Sequence, residues 1–288
     1  MSFPITAGYR ILADRGPRDI GWVRWLGAKA RAILGNVLLY RWVLRRADHV
    51  FVQSEAMRQD IARHGVPMQR MTAVPMGVDL EALPSADQDT AKGAFRWPDR
   101  EPVLYVGTLG GARQLDLMLE AFAIAHRQRP QLLMLMVGEE SVTGEKAALQ
   151  ATARALGIAE HVVWMGWQAP SAVFPLMRQC LLGLSLIPRG PLFDVSSPTK
   201  LVEYLAMGLP AVASDVPDQV LVAERSQAAM VVPMQAAQIA QAILRLAADP
   251  SLRQRMAEAG PAYVARERSY ELLGRLVAQR LHSLAHAV

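Results

Sequence analysis

The residues best suited to chemistry lie in one short stretch, Ser196-Ser197-Pro198-Thr199-Lys200-Leu201-Val202-Glu203-Tyr204-Leu205-Ala206-Met207-Gly208. Ser197 is placed to cap a helix, Pro198 suits its first position and Gly208 its end. Within that helix Thr199, Lys200 and Glu203 are the strongly polar side chains, and their i, i+1, i+4 spacing puts them on one face. The rest is apolar all round, the pattern of a buried helix. As a surface pair Lys200 and Glu203 would contribute only ~0.3 kcal/mol. On a buried helix an unpaired charge is costly, so this stripe is expected to face a polar ligand.

A second candidate is Val106-Gly107-Thr108-Leu109-Gly110-Gly111-Ala112-Arg113, between an apolar run and the helical pattern that begins at Leu115. Glycines there let backbone N–H groups approach a phosphate, and a helix N-terminus adds partial positive charge. Arg113 adds a full charge and a fork of donors. The spacing is neither Gly-x-Gly-x-x-Gly nor a Walker loop, so a purely structural turn between strand and helix explains it equally well.

These candidates sit in a chain of 288 residues, enough for two domains, of which 52% are apolar and 20% charged. That balance excludes disordered, collagen-like and disulfide-scaffold readings. The single cysteine, Cys180, has no partner within the chain and suits a reducing compartment. The scattered histidines show no ligand spacing, so no metal is expected. Neither 226–244 nor 161–177 is the continuous apolar stretch that a bilayer demands, and the first ten residues do not read as a secretory signal.

From residue 100 onward, apolar runs alternate with helix-length segments. The strands are expected at 103–106, 132–137, 162–165, 182–186, 211–214 and 230–232. Continuously apolar strands, each followed by a helix, predict a parallel sheet covered on both faces, a doubly wound Rossmann-like domain binding ligands at the carboxyl ends of its strands. Residues 1–99 differ. A basic helical region at about 20–46 leads to a strand at 49–53, a helix capped by Ser54 and closed at Gly65, and a strand at 71–75. A polar linker follows.

Charge is concentrated at the front. Residues 1–50 hold nine Lys or Arg against three Asp, whereas the remaining residues nearly balance. Trp22, Trp25, Tyr40 and Trp42 are interleaved with these cations. The pattern suits an anionic membrane surface at residues 10–46; nucleic acid is not the expected partner. A solvated helix face whose tryptophans belong to a core is the plain alternative.

Taken together, these segments resemble the retaining glycosyltransferases of family 4, which have the GT-B fold of two facing Rossmann-like domains. The resemblance runs from about Ala47 to Leu281. Ala47–Ser54 resembles the last strand of that family's acceptor domain. Val74-Pro75-Met76-Gly77-Val78-Asp79 resembles its entry to the linker, with Met76 where Asn is usual. Val106–Leu109 with Arg113 resembles its glycine loop and following cation, with Thr108 where Arg is usual. Ser197–Tyr204, with Gly208–Ser214 after it, resembles its donor-site helix and the next strand. The Glu that the family often has eight positions before Glu203 is Val195 here, with Asp194 beside it.

The resemblance implies an α/β, GT-B-like chain. It has one complete doubly wound Rossmann-like donor domain at 101–268 and a partial, N-terminally shortened acceptor domain at 1–83. The linker is 84–100, and a C-terminal helix at 269–288 packs back toward the N-terminal part. It implies a metal-independent hexosyltransferase with no cofactor beyond its nucleotide-sugar co-substrate. Glu203 would hold the ribose hydroxyls, and Lys200 and Arg113 would neutralise the departing diphosphate. Gly107, Thr108, Gly110, Ser197, Pro198, Thr199 and Asp194 would complete the donor site. The acceptor would be a polysaccharide or lipid-linked sugar of cell-surface biosynthesis, met in the cytoplasm or at the inner membrane face. Two alternatives stand beside it: a non-catalytic or partner-dependent nucleotide-sugar-binding half of a split or truncated transferase, whose N-terminal domain a partner chain completes, and a sugar-nucleotide epimerase of the same architecture.

Overall fold

A computed structural model describes residues 21–84 and 97–286. The expectations for 10–20 of the basic stretch and for 85–96 of the linker fall outside these residues. The chain forms two compact units, Met1–Val74 and Pro75–Val288.

In the first unit the basic region is helical from Trp22 to Arg46: α1 (Trp22–Val37), a π-helical stretch Leu38–Val43, and a last α turn Leu44–Arg46. Only Ala28 and Ala32 of α1 are buried, while Trp22, Leu26, Ile33, Leu34, Leu38 and Trp42 are exposed. β1 (Val50–Val52) and β2 (Met71–Ala73) pair in parallel, joined through α2 (Glu55–Arg63). Ser54 caps α2 as expected, its Oγ accepting the Met57 N–H at 3.0 Å. Val52, Ile61, Val66 and Met71 form the small core.

The second unit carries the expected doubly wound sheet. β3 (Glu101–Val106), β4 (Leu132–Val137), β5 (Val162–Gly166), β6 (Leu182–Ser185), β7 (Ala211–Ser214) and β8 (Ala229–Val232) are all parallel, in the order β5-β4-β3-β6-β7-β8. The boundaries differ from those read in the sequence by at most two residues. Alternation explains why these strands are apolar without interruption. Val103, Tyr105, Met134 and Met136 pack under α3 (Leu115–Gln128) and the later helix Ala236–Ala248. Leu104, Leu133, Leu135 and Val137 pack on the opposite side, with the helices Pro170–Met177 and Thr199–Ala206. Both faces are dry, so both sets of alternating residues are apolar.

Beyond β4 the connecting helices are α4 (Glu145–Ala155), α5 (Pro170–Met177), α6 (Thr199–Ala206), α7 (Pro217–Ser226), α8 (Ala236–Ala248) and α9 (Pro250–Tyr263). From β3 the chain winds outward through β4 and β5, and from β6 the other way through β7 and β8. The direction therefore reverses between β3 and β6, where such sheets open a crevice at their carboxyl ends.

The expected C-terminal helix is α10 (Tyr270–Ala285), a member of the second unit. A π-helical turn, Val264–Arg268, leads to it from α9. The Val78 N–H donates to the Arg268 carbonyl at 2.8 Å, and the Tyr270 N–H to the Val78 carbonyl at 3.0 Å. The segment after Pro75 is thus hydrogen-bonded to the start of α10.

Candidate functional site

Two elements meet at the crevice: the loop that leaves β3 at Val106, and α6. Gly107 takes φ 149°, which favours glycine, and space imposes the same choice. A Cβ there would stand 3.1 Å from Lys200 Nζ and 3.1 Å from the Tyr105 hydroxyl. The Tyr105 hydroxyl donates to the Thr108 carbonyl at 3.0 Å and so ties the loop back to its own strand. Lys200 Nζ lies 4.2 Å from the centre of the Tyr105 ring.

That ammonium is buried and has no hydrogen-bond partner, so the ordinary Lys200–Glu203 ion pair is not made. Burial, and then repulsion by Arg113, lowers the Lys200 pKa to about 7, with Glu203 opposing the shift. Glu203 is itself pushed upward by burial, against the pull of Lys200. An ammonium buried without a partner, next to a carboxylate that burial also disfavours, forms a site prepared for a ligand that carries anionic and hydroxyl groups. Arg113 stands at the same crevice, its guanidinium 5.1 Å from the Phe193 ring centre. Lys200, Glu203, Arg113 and Gly107 are therefore brought together.

The remaining expected residues divide. Thr108 is exposed on the loop, and Gly110 is buried against Ser141, whose Oγ would lie 2.8 Å from an added Cβ. Thr199 is the first residue of α6. Ser197 and Pro198 depart from the expected cap. Pro198 takes the N-cap position and no side chain caps the helix. The Ser197 hydroxyl instead donates to Asp218 Oδ2 at 2.7 Å and accepts the Met76 N–H at 2.9 Å. A bond to a buried carboxylate is stronger than a neutral cap, and it draws Ser197 away. Asp194 is held by Arg189, with Nε to Oδ1 at 2.7 Å and Nη2 to Oδ2 at 3.1 Å, and by the Gly190 N–H. The guanidinium keeps its carboxyl below the usual range. Both its oxygens are engaged within its own loop.

The expected helix N-terminus at the glycine loop is also modified. Gly111–Arg113 form a 3-10 turn and Gln114 sits at φ 51° before α3 starts. The Gly111 N–H donates to Glu145 Oε1 at 2.8 Å, so a carboxylate of this chain already uses that donor.

Sequence reasoning missed several groups. Tyr204 sends its hydroxyl into the sheet, accepting the Val106 N–H at 3.0 Å; an aromatic residue in a buried helix gave no sign of this. Asp218 and Arg268 form a buried ion pair at 2.9 Å, and Arg268 Nε donates to the Tyr263 hydroxyl at 3.1 Å. Their separation in sequence left no local signal. Trp167, directly after β5, is 67% exposed at the same end of the sheet. Cys180 is half-buried, its thiol donating to the Leu176 carbonyl at 3.2 Å and pushed up to about 12 by desolvation, which disfavours the thiolate.

Comparison with known proteins places the chain in a family. Residues 87–263 match the model of the family described as glycosyl transferases group 1, and residues 11–77 match that of a glycosyl transferase 4-like domain. The D-inositol 3-phosphate glycosyltransferase of Segniliparus rotundus is 29% identical over 201 residues, 69% of this chain and 44% of that protein. The lipopolysaccharide 1,6-galactosyltransferase of Salmonella typhimurium is 25% identical over 59% of this chain and 43% of its own length. The chain thus spans less than half the length of these curated relatives. Among solved structures, Anabaena HepE in complex with UDP and glucose superposes with a TM-score of 0.74 at 18% identity, covering 87% of this chain and 67% of that one. The likeness shows a shared GT-B-like fold.

Proposed function

Because the chain belongs to the glycosyl transferases group 1 family, we propose that it binds a nucleotide-sugar at the β3–β6 crevice and transfers the sugar to an acceptor hydroxyl with retention of configuration. The observation that carries this reading is the buried, partnerless ammonium of Lys200 beside the Gly107 loop and Glu203. A diphosphate in that space satisfies Lys200 and Arg113, and the ribose hydroxyls satisfy Glu203. The bond from the anomeric carbon to the phosphate oxygen breaks as the acceptor oxygen forms its own bond on the same face. The acceptor proton passes to the leaving phosphate oxygen, so no protein base is required. In this reading fixed cations stabilise the developing charge without a metal.

The acceptor belongs to the polysaccharide or lipid-linked class. That assignment draws on the basic helical region 22–46, which carries six Lys or Arg and no acid with exposed tryptophans among them, a composition suited to an anionic membrane surface. No helix among the described residues is long and apolar enough to cross a membrane; in this reading contact is peripheral, on the cytoplasmic side.

A second reading, in which the chain supplies the donor site and a partner chain completes the acceptor side, is favoured by the sheet β1–β2, which has two strands among the described residues. A two-stranded sheet is marginal by itself, and its edges are templates for further pairing.

Titration calorimetry against UDP, GDP and ADP, each beside its nucleoside, tests the common core of both readings. Tight binding of one diphosphate with weak binding of its nucleoside is expected. A folded chain that binds none of the three removes the donor site. Sugar release from the matching nucleotide-sugar by the chain alone then separates a self-sufficient enzyme from a dependent half.

A further inference from the structure

β3 and β6 are neighbours, yet they pair only at Val103↔Leu182 and Leu104↔Gly183, whereas β3 and β4 pair along their whole length from Glu101↔Leu132 to Val106↔Val137. Beyond Leu104 the ladder stops because a side chain stands in it. The fully buried Tyr204 enters from α6, accepts the Val106 N–H at 3.0 Å and lies 3.5 Å from the Leu184 carbonyl. One phenol hydroxyl thus stands in for a missing rung of the sheet. Gly183 makes the entry possible, since a Cβ there would lie 2.6 Å from the Tyr204 ring. The separation of the two strands at their carboxyl ends is therefore built by a matched pair, a bulky residue on the helix and a missing side chain on the strand.

The wedge has a direct geometric consequence. Tyr204 follows Lys200 by one helical turn, so the two share a face of α6. Its hydroxyl is bonded to the residue immediately before Gly107. The same contact that parts the strands fixes the distance between the glycine loop and the Lys200 ammonium, a gap already so tight that a Cβ on Gly107 would meet Nζ at 3.1 Å. Glu203, by contrast, belongs to α6 alone and needs no fixed distance to the loop.

We infer that Tyr204 is a positioning residue for the diphosphate: by bonding Val106 across the opened β3–β6 seam, it sets the width of the crevice between the Gly107 loop and Lys200. Tyr204 touches neither the sugar nor the reacting atoms. The inference rests on the nucleotide-sugar reading above and adds to it the group that gives the phosphate site its dimension.

Tyr204→Phe removes one oxygen and keeps the wedge. The expected result, by calorimetry on the full chain with UDP, GDP and ADP and their nucleosides, is a roughly tenfold loss for the diphosphate that the unmodified chain binds and less than about twofold for its nucleoside. Gly183→Ala pushes the ring while sparing its hydroxyl and should give the same selective loss, which supplies the test where Tyr204→Phe fails to fold. A purely structural role would lower the unfolding midpoint and leave the diphosphate-to-nucleoside ratio unchanged. An unchanged ratio in a folded variant, or equal losses for both ligands, overturns the inference while leaving the donor site in place. Absence of binding by the unmodified chain overturns the donor site itself, and the positioning role with it.

Discussion

The ammonium of Lys200 stands 4.2 Å from the centre of the Tyr105 ring and makes no hydrogen bond. The ring face attracts a cation, but it does not replace the three hydrogen bonds that an ammonium makes in water. Tyr105 is itself fully buried, with its hydroxyl spent on the Thr108 carbonyl. The charge is thus held in place and left unsatisfied. That arrangement lowers stability in the free protein and favours an anion that enters.

Lys200→Met tests both halves of that statement. The thioether side chain fills the same space without a charge, so the unfolding midpoint in urea should rise, by about 1–3 kcal/mol of stability. Affinity for the nucleoside diphosphate should fall about 10–100-fold as charged hydrogen bonds are lost. A variant less stable than the parent would mean that Lys200 has a structural partner.

The lowered Lys200 pKa, about 7 against 10.5 for the free side chain, gives two pH dependences with opposite signs. Between about 7 and 10.5 the unfolded chain binds more protons at this residue than the folded one, so the Lys200 contribution to stability improves as pH rises through that window and is least favourable below 7. A diphosphate favours the ammonium, so above pH 7 its binding should draw in a proton and weaken as pH rises. Calorimetry at pH 8 in two buffers of different ionisation enthalpy reads this uptake directly. Identical heats in the two buffers would refute the coupling.

The parallel sheet was legible in the sequence because both its faces are buried. Uninterrupted runs such as Leu132–Val137 have no other use in a chain of this composition, and observed strand ends differ little from the expected ones. Lys200 and Glu203 were legible for the related reason that charges on an otherwise apolar helix require an explanation. What stayed hidden was long-range. Ser197 reads locally as a cap, yet it is drawn to Asp218 and Met76, residues remote in the chain. Asp194 is expected at the donor site through the resemblance, yet Arg189 holds it within its own loop. Tyr204 reads as core, and only the truncated β3–β6 ladder discloses what its hydroxyl does.

Glu203 and Arg113 should fail in different ways. Glu203→Ala removes the ribose acceptor and should weaken nucleoside and diphosphate alike, by about 1.5–3 kcal/mol. Arg113→Ala should weaken the diphosphate and spare the nucleoside. Binding of both ligands to each variant checks the assignment, and a Glu203 variant with undiminished nucleoside affinity would sink it.

The Asp218–Arg268 pair should behave as a structural clamp. Both side chains are nearly inaccessible, at 3% and 4% exposure, and between them they hold Ser197, Tyr263 and the Met76 carbonyl. Asp218→Asn leaves a buried guanidinium without its counter-charge and should cost about 3–5 kcal/mol of stability. Replacing both partners with apolar residues, as in Asp218→Leu with Arg268→Met, should recover much of that loss. Urea midpoints of the two variants distinguish a buried pair from a surface one, for which both changes would be nearly neutral.

The region 22–46 offers the last test. Arg24 and Arg41 are exposed on it, as are Trp22 and Trp42. Against an anionic surface each cation contributes about 1 kcal/mol, falling off with salt over the Debye length. The apolar rings contribute through buried area, which salt does not screen. Arg24→Gln with Arg41→Gln should therefore weaken co-sedimentation with phosphatidylglycerol vesicles by about 30-fold at low salt and much less at high salt. Trp22→Ser with Trp42→Ser should weaken it at both. Equal binding to phosphatidylcholine vesicles would leave the charge asymmetry without a membrane role. Binding to neither would return these side chains to a protein partner, which the two-stranded sheet β1–β2 also has edges to accept.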